Sequence, residues 1–300
     1  MQEEGDDNTI INVEDLPDLP TRKEKKKPTK INAKWLTAKH LTADDKKKIV
    51  KIGQIHDLSV TVYMPTGAEF CFVTLGDLFD ILADQAITNT VIDAYGEILK
   101  ANDPIVDSTY NKRFVIFDSL CWLYVTYPEM AIPRSQKIDQ VLEHLHNTGQ
   151  PRLLLFPMNS NGGRGSDVVP NHWTLLTFDS EAGQWIHYNS NLPRDGTSNR
   201  YMDDAMQLKE YVESKQKELF MKSPDTNTVV YKEEEFNHPL ISYEKCPQQH
   251  IGTVDCGIHV CHVMERLAKN EEIEETMTMK EVRQYKANMV SQFIKDFVVE

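Results

Sequence analysis

Cys256 carries the strongest chemical signal in the chain. It stands in Asp255-Cys256-Gly257-Ile258-His259-Val260-Cys261, a thiol followed at once by glycine and then by an apolar run at helical spacing. That pattern places the sulfur at a helix N-terminus, where unpaired backbone N–H groups and the helix dipole favour a thiolate. A thiolate becomes a catalyst only beside a base and an oxyanion donor. His172 stands directly before the apolar run Trp173-Thr174-Leu175-Leu176-Thr177-Phe178, so its ring is expected at the start of a strand. Asn189 ends the next apolar run, Trp185-Ile186-His187-Tyr188. If the two strands are antiparallel and joined at 179–183, His172 and Asn189 share one end of the hairpin. The Asn amide oxygen could then fix the imidazole tautomer and leave the other ring nitrogen for the thiol. Gln249, just upstream of Cys256, could donate to an oxyanion together with the Cys256 backbone N–H. The chemistry implied is acyl transfer through a thioester.

The elements that must hold these groups can be read from periodicity and turn residues. Leu58–Met64 alternates and is followed by Pro65-Thr66-Gly67 and Phe70-Cys71-Phe72-Val73, which predicts a hairpin. Helical spacing covers Leu78 to Leu82 and Val91 to Leu99, with Asn89 as a candidate cap, and then about 136–146 and 203–220. Strands are expected at 153–157, 173–178, 185–188 and 229–231, and helices at 256–269 and 279–297. Asp179 reads as a turn residue and Asp255 as support for a helix start. His187, His259 and His262 read as structural or solvated, and Cys71, Cys121 and Cys261 as small apolar groups.

Composition bounds the remaining possibilities. The chain has 300 residues, 40% of them apolar, enough for a sizeable core. It contains five cysteines and no CxxC pair, which argues for a reducing compartment and against a thiolate zinc site. No metal or other cofactor is implied. A net charge of −13 disfavours direct nucleic-acid binding. Nothing resembles a membrane span. Residues 1–45 read as a disordered tail and 46–300 as one catalytic domain. Up to Pro20 the tail holds seven acids and no base, and then Arg22–Lys30 reverses the sign. The basic run resembles a nuclear localisation signal, so a nuclear or nucleocytoplasmic protein is expected. Ile10, Ile11 and Val13, in Ile10-Ile11-Asn12-Val13-Glu14-Asp15, resemble a SUMO-interacting motif that adds as a strand to a sheet edge.

The ordered set His172-Trp173, Asn189, Pro247-Gln248-Gln249 and Asp255-Cys256-Gly257 resembles the ubiquitin-like-protein-specific cysteine proteases, the SUMO/sentrin family. The stretch from Leu75 to Tyr95 is similar to that family's opening helix, and the resemblance runs over roughly residues 70–297. It implies an α+β, papain-like fold with a central mixed or antiparallel sheet flanked by helices. It implies a thiol isopeptidase that cuts after the C-terminal Gly-Gly of SUMO or a related modifier, in deconjugation or precursor maturation. Its partners are then the modifier and its conjugates, and a monomer is expected. Cys256 takes the nucleophile's place, His172 the base's, and Gln249 the oxyanion donor's, with Gln248 as the alternative. Trp173 is placed as the lid of a glycine-only channel, where any Cβ would clash. The family's acid position holds Asn189, which keeps orientation and loses charge. The usual opening-helix tryptophan falls at Ala86. Two other readings share these residues: a catalytically weak modifier-binding relative, and a mobile-element protease of the same chemistry.

Overall fold

The computed structural model describes residues 35–55, 57–66, 71–103, 113–149, 151–160, 172–193, 199–222 and 237–297. A short 3-10 helix (Thr37–His40) precedes α1 (Ala43–Ile52), whose N-cap Thr42 accepts the Asp45 N–H. β1 (Thr61–Tyr63) and β2 (Val73–Thr74) pair antiparallel with a shift in register, a shorter hairpin than the alternation predicts. Thr74 and Asp77 then form a reciprocal capping box that starts α2 (Leu75–Leu82). α3 (Asn89–Ala101) begins one residue earlier than a capping Asn89 would require, so the cap position falls to Thr88. β3 (Phe114–Ile116), α4 (Cys121–Thr126) and α5 (Ala131–Arg134) follow. The helix expected at 136–146 is a π turn over Ser135–Asp139 running into α6 (Gln140–Thr148), with Ile138, Leu142 and Leu145 buried.

The central sheet then forms from β4 (Leu153–Ser160), β5 (His172–Asp179) and β6 (Gln184–Tyr188). After α7 (Met202–Lys222) come β7 (Leu240–Ser242), α8 (Cys256–Ala268) and α9 (Met279–Phe293), the last opened by a Thr278–Glu281 capping box. The strand order is β3-β4-β5-β6-β7. The two inner pairings are antiparallel and the two outer ones parallel. This is the expected α+β architecture, a mixed sheet with helices on both faces.

Helices cover both faces because β4 and β5 are apolar at successive positions. Leu153, Leu155, Trp173 and Leu175 enter one core with α2, α3, α8 and α9. Leu154, Phe156, Met158, Leu176 and Phe178 enter the other with α4, α6 and α7. A strand buried on both sides reads as a continuous apolar run. α8 is the central helix, with every residue from Cys256 to Met264 buried.

The boundary drawn at residue 45 falls inside the fold. Trp35 packs against Phe79 with ring centroids 5.9 Å apart, and Thr37 and Leu41 are buried. The lysine-rich composition before α1 conceals these anchors, which are too few to register as a pattern. The strand expected at 229–231 lies outside the described residues, as do Ile10, Ile11 and Val13. α9 stops at Phe293 rather than 297.

Candidate active site

β5 and β6 pair from Leu175 opposite Tyr188 to Asp179 opposite Gln184. Asp179 accepts the N–H groups of Glu181 and Ala182 and closes the turn. His172, three residues before Leu175, and Asn189, one after Tyr188, therefore arrive at the same open end. His172 Nε2 lies 2.8 Å from Asn189 Oδ1. The same Oδ1 accepts the Asn191 backbone N–H at 2.8 Å. A backbone N–H can only donate, so the oxygen of Asn189 must face it. Nε2 of His172 is then the donor, and in the neutral ring Nδ1 is left with its lone pair free. Asn189 is wholly buried and its Nδ2 donates to Asn199 Oδ1 at 3.0 Å. The His172 ring is nearly buried and packs on Tyr201 with centroids 4.5 Å apart.

Cys256 is the first residue of α8, and the backbone N–H groups of Trp173 and Gly257 favour its thiolate. Trp173 adjoins His172, and its Cδ1 would lie 3.2 Å from a Cβ on Gly257, so the first turn of α8 meets the His172 end of β5. The segment before α8 is pinned there by the Gln249 N–H, which donates to Ser190 O at 2.8 Å. The two neighbouring glutamines differ in what their amides are already doing. Gln248 accepts from Leu192 N at 2.7 Å and donates to Asn189 O at 3.0 Å and Cys246 O at 2.8 Å. Gln249 makes no side-chain hydrogen bond to a described residue, and its Oε1 is buried without a partner. Its amide is the one left over for a ligand. Among the described residues no cluster of three His, Cys, Asp or Glu side chains could hold a metal.

Residues 85–296 match the model of the Ulp1 protease family, C-terminal catalytic domain. The chain belongs to this family. It is accordingly a cysteine-type peptidase. Solved structures agree on the fold at low identity. The Ulp1 protease domain in complex with Smt3, described as the yeast ortholog of SUMO, is 15% identical with a TM-score of 0.58. That match covers 91% of this chain and 99% of the other. SUMO protease Ulp1 with its catalytic cysteine oxidised to a sulfenic acid is 16% identical, with a TM-score of 0.59 over 85% and 96% of the two chains. The Ulp1-like SUMO protease catalytic domain of Chaetomium thermophilum is 12% identical, with a TM-score of 0.57 over 87% and 92%. Among curated proteins no sequence matches significantly.

The electrostatics of this Ulp1-family site differ from the sequence expectation in sign. A helix N-terminus alone would lower the Cys256 thiol pKa. Burial outweighs the backbone N–H groups of Trp173 and Gly257, and the neighbouring Asp255 charge adds to it, so the thiol is pushed up. His172 is pushed down, chiefly by burial and also by the Arg200 charge, against the raising effect of the Asn189 bond. Both shifts favour the uncharged forms, the thiol and the neutral imidazole. Asn189 adds no charge to reverse that.

Gly257 explains the residue type after the cysteine. A Cβ there would lie 2.6 Å from Ile87 Cγ1 and 3.2 Å from Trp173 Cδ1. Trp173 thus packs against the first turn of α8. The residue facing it is Ile87, while Ala86 is exposed. Sequence reasoning missed Asn199, which binds Asn189, accepts the Tyr201 N–H at 3.2 Å, and reaches His187 Nδ1 at 3.4 Å. No motif marks it. His187 is fully buried and held neutral by burial, with its pKa lowered to about 3. Asp255 makes no capping bond, contrary to the simplest reading; its carboxylate meets Lys286 instead.

Proposed function

We propose that this protease is a thiol isopeptidase cleaving after the C-terminal Gly-Gly of SUMO or a related ubiquitin-like modifier, through an acyl-enzyme on Cys256. The observation that carries the reading is the locked His172 ring, with Nε2–H held by Asn189 and the adjoining Trp173 set against the turn of α8 that Cys256 opens. The choice of modifier is supported by the solved relatives, two described as SUMO proteases and one as a Ulp1 protease domain in complex with Smt3, the yeast ortholog of SUMO. The basic run 22–30 supports action in the nucleus or between nucleus and cytoplasm.

In the first step Sγ of Cys256 attacks the carbonyl carbon of the terminal glycine, and the thiol proton passes to His172 Nδ1. The carbonyl electron pair moves onto oxygen, which accepts from Gln249 Nε2 and the Cys256 backbone N–H. Collapse breaks the C–N bond, and the departing amine takes the proton from Nδ1. Water then attacks the thioester and gives a proton to Nδ1; the C–S bond breaks and the thiol re-forms. Trp173, Ile87 and Gly257 stand close together beside the sulfur, and this crowding supports a channel that admits only glycines.

A modifier carrying a C-terminal Gly-Gly electrophile is expected to attach to Cys256 alone. Folded protein that no member of a modifier panel labels would sink the proposal. Tight binding without labelling would favour the modifier-binding relative. Asn189→Asp is expected to keep or raise activity, because a carboxylate at the present amide oxygen stabilises the imidazolium. The acid limb of kcat/KM should move to higher pH by roughly one to three pH units. Asn199 must turn its amide to face the new carboxylate, giving up the Tyr201 N–H bond. An unmoved limb would mean that position 189 does not act on the base.

A further inference from the structure

Lys286 is a lysine on the apolar stripe of α9. It lies in register with Val282, Val290 and Phe293, all buried, and is itself 0% exposed. Its Nζ lies 2.8 Å from Asp84 Oδ1 and 2.6 Å from Asp255 Oδ1. Asp255 is the residue immediately before Cys256, and Asp84 lies in the turn that leads to Ile87. A buried ion pair is weak evidence for stability, since well-packed apolar residues often serve as well. Its retention is better explained by what stands beside it. We propose that Lys286 is a positioning residue for the nucleophile: its ammonium cancels the Asp255 charge beside the thiol and ties the start of α8 to the Asp84 turn. This rests on the assignment of Cys256 as nucleophile.

The groups around the pair leave this role to Lys286. On α8, His259 is buried with both ring nitrogens unpartnered, and burial lowers its pKa to about 4, so it carries no charge at neutral pH. His262 on the same helix is engaged by Glu274 at 2.9 Å. His250 in the preceding segment is bound to Met277 O at 3.0 Å. On α9, Arg283 faces Asp84 at 3.4 Å rather than Asp255. Thr37, from the N-terminal segment, donates to Asp84 at 2.8 Å. On β5, His172 faces Asn189. Among the described residues, Lys286 is the fixed positive charge in contact with Asp255. Asp84, with its side chain 30% exposed and φ of 55°, anchors the other side of the bridge. Without Lys286, the Asp255 carboxylate would oppose formation of a thiolate one residue away, as it already does in part.

The test is the pH midpoint of iodoacetamide alkylation at Cys256, read by mass spectrometry on the folded full chain. Asp255→Asn leaves the lysine charge unopposed on that side, so the midpoint should fall by about one pH unit, a tenfold gain in rate below it. Lys286→Met should raise the midpoint by a similar amount. The double variant should return to within about threefold of the wild-type rate. A structural role alone would slow or scatter all three, whereas opposite signs that cancel are specific to charge. Should Lys286→Met fail to fold, Lys286→Gln in the Asp255→Asn background decides: a midpoint no higher than that of Asp255→Asn alone overturns the proposal. The alkylation reads the sulfur directly. If the modifier probe fails on wild-type protein while the midpoints still move in opposite directions, the assigned reaction fails and the charge bridge stands.

Discussion

His172→Ala is expected to lower kcat/KM on a modifier conjugate by about 10⁴-fold or more, with the fold retained. The size follows from the resting state of the site. Burial pushes the Cys256 thiol up and the His172 imidazole down, so few molecules hold a thiolate before substrate arrives. The proton must leave the sulfur during attack, and Nδ1 of His172 is the acceptor left open by the Nε2–Asn189 bond. The pH profile follows with its sign. His172 acts as a base only when neutral, and its pKa lies below the ordinary 6.5, so activity should fall off as pH drops through a midpoint below 6.5. The raised thiol predicts alkylation of Cys256 that keeps accelerating above pH 9. A His172→Ala protein with turnover within tenfold of wild type, or an acid limb well above 6.5, would remove the base from the mechanism.

Gln249→Ala should cost about 10²–10³ in kcat with little change in KM, the loss expected for one oxyanion donor. Gln248→Ala provides the contrast. Gln248 holds three hydrogen bonds to Leu192, Asn189 and Cys246, so its loss should lower the melting temperature more than Gln249→Ala does. A catalytic role for Gln248 would require kcat to fall with stability unchanged. Steady-state kinetics and thermal denaturation on the two variants separate the roles. Equal kcat losses with equal stability losses would show that neither amide serves the oxyanion.

Parts of this arrangement were legible because they depend on neighbours in the chain. The β5–β6 hairpin follows from two apolar runs and a turn at Asp179, and it alone brings His172 to Asn189. The start of α8 at Cys256 follows from the apolar spacing after Gly257. Lys286 also left a trace, as a charge interrupting the stripe of α9, although nothing in the sequence names its partners. Other features depend on contacts between distant segments. The choice of Gln249 over Gln248 turns on which amide is consumed by the Asn189 loop. The residue beside Trp173 at the start of α8 is Ile87 rather than Ala86, because α8 and the α2–α3 turn meet there. Residues 35–45 join the fold through Trp35 and Leu41, single anchors that no period reveals.

The sequence by itself determined the reaction class, the order of the reacting groups and the mixed α+β frame, because residue type and local spacing fix what a side chain can do and which element carries it. Only the tertiary structure decided the protonation state at rest, the free amide and the Lys286 bridge. Burial and charge contact are properties of space, and they arise between segments far apart in the chain, as with Asp84 and Lys286, which are 202 residues apart.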